Sequence, residues 1–405
     1  MSALIDKLLP ESLPEGEPGL DVLRRKAQKI LMQHGCPHRK TENWKYLPLT
    51  LLEKREFGTG AASRDWPEPP SLPFESGLVH VHNGQIDPSR CRLPAGVTLR
   101  GMTSDDVDIG ALNEQGSADA FAWLNLARFE QGWTLRVDSR VDIPLLLAVT
   151  CDEDFDGALH PRLKLELAPE SRLELIESQQ VGGAGLLNIV FDITLAREAR
   201  LTHLIDRAAG DTAMIQRTAV RIGAAADYRV FALDGGGRLT RQDLIAVLEV
   251  AGGQATLCGV GVLSGRSLVD YHTAVEHRVG GTRSREDFRM LADDQSVGVF
   301  NGRILIVRGA DDSHSEMNTG NLLLSDSARI NTKPELEIHA EEVTASHGAT
   351  VGQLDDQARF YLRSRGLDDD QAQALLKYGF AAAVFDELQA GAQRDWLLAR
   401  LKEAL

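Results

Sequence analysis

The feature that most constrains the fold is a repeat of strand starts at nearly constant spacing in the middle of the chain. From about residue 130 to 350, short runs such as RLKLEL and SRLELIE alternate apolar and polar residues, which is the pattern of β-strands. The strand starts at Ser171, Ala199, Ala226 and Gln254 lie 28, 27 and 28 residues apart. This spacing predicts a β-solenoid (β-helix), in which each coil buries its apolar face against the next. On the pattern alone, a β-sandwich is the competing fold.

The N-terminal region has a mixed pattern. A helix is predicted to end at Gly35 and Pro37, because the preceding apolar residues recur at helical spacing: Leu20, Leu23, Ala27, Ile30 and Leu31. The later segment LVHVHNGQID predicts a strand, an Asn-Gly turn and a second strand.

The C-terminal region returns to helical periodicity. One helix is predicted to begin at Asp368 to Asp370 and to close at Gly391, and AQRDWLLARLKEAL predicts another. Two short amphipathic helices after a solenoid make either a terminal cap or a docking surface. We therefore expect a mainly β protein with an N-terminal helical and mixed region (1–105), a β-helix core (106–354) and a C-terminal helical domain (355–405).

Composition excludes several classes of function. The formal net charge is -15, with 59 acidic against 44 basic residues, so the chain lacks the basic surface that a nucleic-acid partner requires. No apolar run suggests a membrane span, and the first residues lack the regions of a signal peptide, so we expect a cytoplasmic protein. The four cysteines are far apart and form no Cys-x-x-Cys, which argues against a disulfide framework or a locally held zinc or iron–sulfur site.

Two segments contain candidate metal ligands. In DYHTAVEH, a strand would place Asp270, His272 and Glu276 on one face, although solvated strand faces are routinely this polar. In VTASHGATVG, His347 shares a face with Val343 and Ala345, so its imidazole either ligates a metal or packs as a core histidine. For His339, which shares a strand face with glutamates, a solvated polar face is expected.

Long motifs in the chain resemble one known family. The run NTKPELEIHAEEVTASHGATVGQLDDQARFYLRSRG, continuing into AQALLKYGFAAAVFDEL, closely resembles the SufB/SufD family of iron–sulfur cluster assembly proteins, and within it the SufD branch. The similarity extends upstream through DGGGRLTRQDLIAVLEVAGGQATLCGVGVLSGRSLVDYHTAVEH and SVGVFNGRILI. TENWKYLPL, with Trp44, Lys45 and Tyr46, is also similar to the SufD branch.

The resemblance implies a fold, partners and a site. It implies a β-helix between helical ends that pairs with a SufB-like paralogue through the last strands of the core. It also implies that His347 ligates iron or a transient nascent cluster shared with that paralogue. The family often has cysteine two positions earlier, where this chain has Ala345, so no thiolate is available from that position. For Cys258 we expect a buried, inert thiol.

The resemblance further implies a non-catalytic scaffold with a role in iron acquisition. ATPase activity would belong to a SufC-like ABC ATPase bound by the C-terminal helices, and their apolar residues are the predicted contacts: Leu375, Leu376, Phe380, Phe385 and Leu388. A flavin on the complex is compatible with the resemblance, but no motif here predicts one. Two alternatives stay open: a polysaccharide-active solenoid enzyme, and a homodimeric binding protein whose solenoid edge pairs with itself.

Overall fold

In a computed structural model, described for residues 3–9, 12–37, 40–58, 66–110 and 119–405, the chain forms a β-solenoid flanked by helices. The strands are β1 Gly77–His82, β2 Gln85–Ile86, β3 Val97–Gly101, β4 Gly132–Val137, β5 Leu145–Thr150, β6 Ala158–Leu159, β7 Arg162–Leu167, β8 Arg172–Gln180, β9 Leu186–Leu195, β10 Arg200–Ile222, β11 Asp227–Leu248, β12 Gln254–Leu263, β13 Leu268–His277, β14 Arg283–Ala292, β15 Val297–Ile306, β16 His314–Leu323, β17 Arg329–Ile338 and β18 Thr344–Gly352. The α-helices are α1 Ala3–Leu8, α2 Pro18–His34, α3 Thr50–Glu53, α4 Ala120–Arg128, α5 Asp356–Ser364, α6 Asp369–Ala382 and α7 Ala392–Ala404.

The solenoid has about eight turns and two parallel sheets. The first sheet runs β1–β5–β8–β10–β11–β12–β14–β16–β18, and the second runs β4–β7–β9–β10–β11–β13–β15–β17. The long strands β10 and β11 bend around a corner and belong to both sheets. This architecture confirms the predicted solenoid, and the alternative of a β-sandwich is wrong.

The repeat in the sequence has a structural cause at one corner of each coil. Glu170, Glu198 and Ala225 have left-handed backbones, with φ of 64°, 58° and 52°. The small residue that follows each of them is fully buried: Ser171, Ala199 and Ala226. A left-handed residue reverses the chain sharply, and only a small side chain fits inside the corner.

The register also explains why the repeat fades toward the C-terminus. Successive paired positions on the first sheet are Arg172, Arg200, Asp227, Gln254, Arg283, His314 and Thr344. The steps between them are 28, 27, 27, 29, 31 and 30 residues, so later coils are longer. The repeat read from the sequence matches Gln254 to Ala226, whereas in the structure Gln254 pairs with Asp227, one residue later.

Helices cover the outer faces of both sheets. The N-terminal helices and α4 bury apolar residues of the second sheet, including Leu186, Ile215 and Leu268. The C-terminal helices bury the outer face of the first sheet, including Leu204 and Phe231. A solenoid with both flanks covered in this way retains free surface mainly at its ends.

The local predictions at the N-terminus are confirmed. Helix α2 ends at His34, and Gly35 follows with a φ of 76°. Strands β1 and β2 form the predicted hairpin, because Asn83 and Gly84 both have positive φ in the turn between them. The predicted domain boundaries stay a prediction. Strand β1 lies within the predicted N-terminal region (1–105) but pairs with β5 of the solenoid. None of the helices in the described ranges combines the length and apolar character of a membrane-spanning helix.

Candidate functional site

The last coil leaves one end of the solenoid open. Strand β17 pairs with β15, and β18 pairs with β16. Within the described ranges, no further strand pairs with the outer edge of either. The C-terminal helices lie on the flank of the first sheet and do not cover this end, so the interpretation of these helices as a terminal cap is wrong. The backbone groups along both edges are therefore free to pair with another chain.

His347 lies on the inward-facing row of this last coil. It pairs with Met317 of β16, which is fully buried in the solenoid interior. Val343 and Ala345, which share its face as predicted, are partly buried against the same interior. The His347 side chain is nevertheless exposed, because no coil follows to cover it. Its position is thus both inward-facing and accessible at the open end.

An acidic residue lies two coils behind His347 in the same row. The register runs from Glu286 to Met317 to His347, which puts the two outer members roughly 10 Å apart along the solenoid axis. Glu286 is fully buried, and neither carboxyl oxygen hydrogen-bonds to a described residue. Burial raises the pKa of Glu286 to about 8, and the nearby Thr273 hydroxyl offsets this only in part. Glu286 is therefore largely protonated at neutral pH.

Beside this row, a buried chain of hydroxyl groups leads toward the open end. His277 Nδ1 lies 2.7 Å from Thr282 Oγ1, and its Nε2 lies 2.9 Å from Ser284 Oγ. Ser284 is 2.6 Å from Ser315, which pairs with Ala345 of the last coil. Burial lowers the pKa of His277 to about 4, so the imidazole is neutral and can both donate and accept. Sequence reasoning did not identify this network, although serine and threonine at matching register positions are its signal.

The outer face of β17 is polar and solvated, as predicted for His339. His339 is exposed and lies 3.0 Å from Glu337, which also receives a 2.6 Å bond from Arg303. The hydrogen bond from His339, together with Arg303, lowers the pKa of Glu337. Lys333 of β17 pairs with Glu42 at 2.6 Å and so ties the N-terminal region to the last coil.

Asp270, His272 and Glu276 share a face, but that face is covered. Asp270 is buried and lies 3.0 Å from both Arg241 and His272. The Arg241 guanidinium in turn stacks 4.0 Å from the Trp44 ring, so the N-terminal region covers these strands. The interpretation of this polar face as an ordinary solvated strand surface is therefore wrong. In the described part of the chain, no three His, Cys, Asp or Glu side chains form a group that could hold a metal ion.

The five predicted docking residues differ in how far they are buried. Phe385 and Leu388 are buried against the first sheet and attach the C-terminal helices to the solenoid. Leu375 is 49% exposed. Leu376 and Phe380 are partly buried, and the Phe380 ring lies 5.1 Å from the Arg289 guanidinium.

Helix α5 adds an exposed apolar surface that the sequence reasoning missed. Phe360 and Tyr361 are 73% and 55% exposed. Arg359 Nε donates to Asp369 Oδ1 at 2.7 Å, which fixes α5 against α6. That bond lowers the pKa of Asp369 to about 2, so the ion pair is present at neutral pH. Phe360 and Tyr361 on α5 and Leu375 on α6 are large exposed apolar side chains, and we call these three residues the α5–α6 surface.

Cys258 is fully buried in the first sheet, beneath the C-terminal helices. Burial raises the pKa of its thiol to about 12, which makes a reactive thiolate unfavourable. The prediction that this thiol is buried is confirmed, and its lack of reactivity stays a prediction.

Comparison with known proteins agrees with this architecture. Residues 149–380 match the family described as SUF system FeS cluster assembly, SufBD core domain. The chain is 29% identical to the iron–sulfur cluster assembly protein SufD of Escherichia coli over 395 residues, which covers 93% of this chain and 90% of that protein. It is 28% identical to an iron–sulfur cluster assembly SufBD family protein of Synechocystis, covering 90% of this chain and 86% of the relative.

A third relative has a higher identity over a shorter segment. The SufD protein of Bacillus subtilis is 40% identical over 95 residues, which is 24% of this chain and 22% of that protein. The family match covers more than half of the 405 residues and includes most of the solenoid. This chain belongs to the SufB/SufD family of the SUF system for iron–sulfur cluster assembly.

Proposed function

We propose that this chain is a SufD-type, non-catalytic scaffold subunit of a cytoplasmic SufBCD-type complex, with a role in iron acquisition. The observation that carries the proposal is the open end, where two unpaired strand edges flank an exposed, inward-facing histidine. Its partners would be a SufB-like paralogue and a SufC-like ABC ATPase. Iron or the nascent cluster is cargo held at the interface.

Pairing with a paralogue is supported by the chemistry of the two edges. Ile338 and Val351 are 40% and 47% exposed at this end, beside the free backbone groups of β17 and β18. A partner with a similar two-sheet cross-section could continue both sheets and bury these apolar side chains at once. A second copy of this chain offers the same surface, so homodimerisation is the competing outcome.

Ligation by His347 is supported by its accessibility and residue type. Neutral imidazole is a good ligand for iron, and one histidine cannot complete a coordination sphere. Ala345 supplies no ligand, so the remaining ligands would come from the partner. A shared site of this kind would assemble only when the two subunits meet.

Docking of the ATPase is assigned to the α5–α6 surface. Each of its three apolar side chains is exposed, whereas Phe385 and Leu388 are already covered within this chain. Of the five residues predicted to contact the ATPase, only Leu375 remains as a direct contact. Phe360 and Tyr361 are added to it. Leu376 and Phe380 would support the surface from beneath.

The first experiment is gentle purification of the tagged chain from its native cytosol, followed by identification of bound proteins by mass spectrometry. We expect both a SufB-like protein and an ABC-type ATPase. A homodimer with neither partner would overturn the scaffold assignment.

Two pairs of variants then separate the sites. His347→Ala should leave the complex assembled but reduce its iron content and cluster maturation. His339→Ala, which changes an exposed histidine directly after β17, should behave as wild type. Phe360→Ala/Tyr361→Ala should lose the ATPase but keep the paralogue, while Val22→Ala on α2 should lose neither. Normal maturation in His347→Ala would reduce that residue to a packing role.

A further inference from the structure

Three arginines occupy the same outward-facing position on consecutive coils of the first sheet. A bridge pairs Arg140 with Arg172, and Arg172 pairs with Arg200 of β10. Adjacent rungs are about 4.8 Å apart, so the backbones from which these side chains project are stacked at that spacing. We call these residues the arginine ladder. It stands out in a chain whose formal charge is -15.

The charges of the ladder are poorly compensated within the protein. Among the residues that the structure describes, the guanidinium groups of Arg172 and Arg200 have no hydrogen-bond or ion-pair partner. Arg140 has one 3.5 Å contact, to an Asp142 side chain that is 87% exposed. Like charges on directly opposed strand positions are destabilising, so this arrangement costs folding free energy in the free chain. A bound counter-anion would offset that cost.

The ladder lines a pocket of about 440 Å³ between the first sheet and the C-terminal region. Leu388, Gln389 and Gln393 form the wall on the C-terminal side, where the amides can donate hydrogen bonds. This volume lies in the range of small-molecule sites. The pocket is separate from the open end, because the ladder belongs to coils far from β17 and β18.

Four carboxylates also line the pocket, and three of them pair with an arginine, in two cases with an arginine of the same pocket. Asp227 lies 3.1 Å from Arg229, and Glu387 lies 3.5 Å from Arg285. Asp142 lies 3.5 Å from Arg140. Glu174 is the exception, since burial raises its pKa and no arginine compensates it. It faces the same pocket and would weaken anion binding whenever it is ionised.

We propose that this pocket binds a small anion carrying two or more carboxylate or phosphate groups. Arginine guanidinium groups bind both chemistries through paired N–H donors, and two stacked guanidinium groups can hold neighbouring anionic groups of one molecule. The site is independent of the proposed partnership, because every residue in it belongs to this chain.

Isothermal titration calorimetry of the purified full chain tests the proposal, with pyrophosphate and citrate as separate probes and with sodium chloride at matched ionic strength as the control. We expect at least one probe to bind with a dissociation constant below about 1 mM, and the probe that binds identifies the phosphate or the carboxylate source. Arg172→Gln/Arg200→Gln should weaken binding at least tenfold, because it removes the two charged donors that hold the anionic groups. Glu174→Gln should strengthen it.

The matched control is Arg283→Gln. Arg283 occupies the same outward row two coils beyond Asp227, is exposed, and is flanked by Gln254 and His314 rather than by arginines. It should bind the probe as wild type does. The proposal is overturned if neither probe binds, if the double variant binds as well as wild type, or if Arg283→Gln weakens binding equally.

Discussion

The last coil and the coil before it on each sheet have the same inward-facing rows but opposite accessibility. Ile306 of β15 is fully buried, while Ile338, its paired neighbour on β17, is 40% exposed. On the other sheet, Met317 is fully buried and its neighbour His347 is exposed. The difference arises from the missing next coil, because each rung of a solenoid is covered by the rung that follows.

The inner coils and the last coil of the same solenoid therefore have different roles. Inner coils bury apolar residues on both sides and hold the fold together. The last coil retains partly apolar rows and unpaired edges, although soluble solenoids usually end in polar caps. Its exposed surface is therefore expected to affect assembly far more than the stability of the isolated chain.

The largest expected effect comes from comparing the two isoleucines. Ile306→Ala should lower the free energy of unfolding by about 2–5 kcal/mol, because it leaves a cavity in a close-packed interior. Ile338→Ala should cost less than about 1 kcal/mol, since its side chain is already partly hydrated. Urea denaturation of both variants measures the difference. Equal losses would show that the last coil is as well packed as the inner ones.

The buried acid behind His347 gives the next largest effect. Because the pKa of Glu286 is raised to about 8 in the folded state, the folded chain binds more protons than the unfolded chain between its ordinary value of 4.5 and about 8. The Glu286 contribution to stability should therefore fall as pH rises through that window and level off above it, so the wild type should lose stability relative to Glu286→Gln over this range. Glu286→Gln should remove this slope and stabilise the chain at pH 8 by a few kcal/mol.

Unfolding free energies at pH 5, 6.5 and 8 for both proteins check this prediction. Glu276→Gln is a suitable control, because Glu276 lies on the outer face and is held by Arg278 at 3.0 Å. A difference in unfolding free energy between the wild type and Glu286→Gln that stays constant across the window would mean that the pKa of Glu286 is not raised.

Periodicity favoured the solenoid without excluding a β-sandwich, and the structure explains why the repeat is visible in the sequence. The alternation of strands and the small buried residues at Ser171, Ala199 and Ala226 are local consequences of the corner geometry, so they are visible in sequence. The later coils add residues at their corners, and a fixed-period alignment loses its register there. Strand parity likewise placed Val343, Ala345 and His347 on one face correctly.

Other features depend on contacts between distant segments, which periodicity does not contain. Parity put Asp270 and His272 on an outer face, but only the folded N-terminal region, through Trp44 and Arg241, reveals that this face is covered. The apolar residues of α6 similarly divide between a face against the solenoid and an exposed face. A 3.6-residue period identifies apolar positions without showing which of them another element covers.

The smallest stability change is expected for His347, and it distinguishes the two interpretations of that residue. If His347 were a packed core histidine, His347→Ala would cost as much as Met317→Ala, for which we expect a loss of about 2–5 kcal/mol. Because the His347 side chain is exposed and no coil covers it, we expect a change within about 0.5 kcal/mol. Thermal and urea unfolding of the isolated chain measure both variants. A loss above about 2 kcal/mol for His347→Ala would contradict the accessible position at the open end, whereas a small loss, combined with reduced iron content in the assembled complex, would assign the residue to its cargo and not to packing.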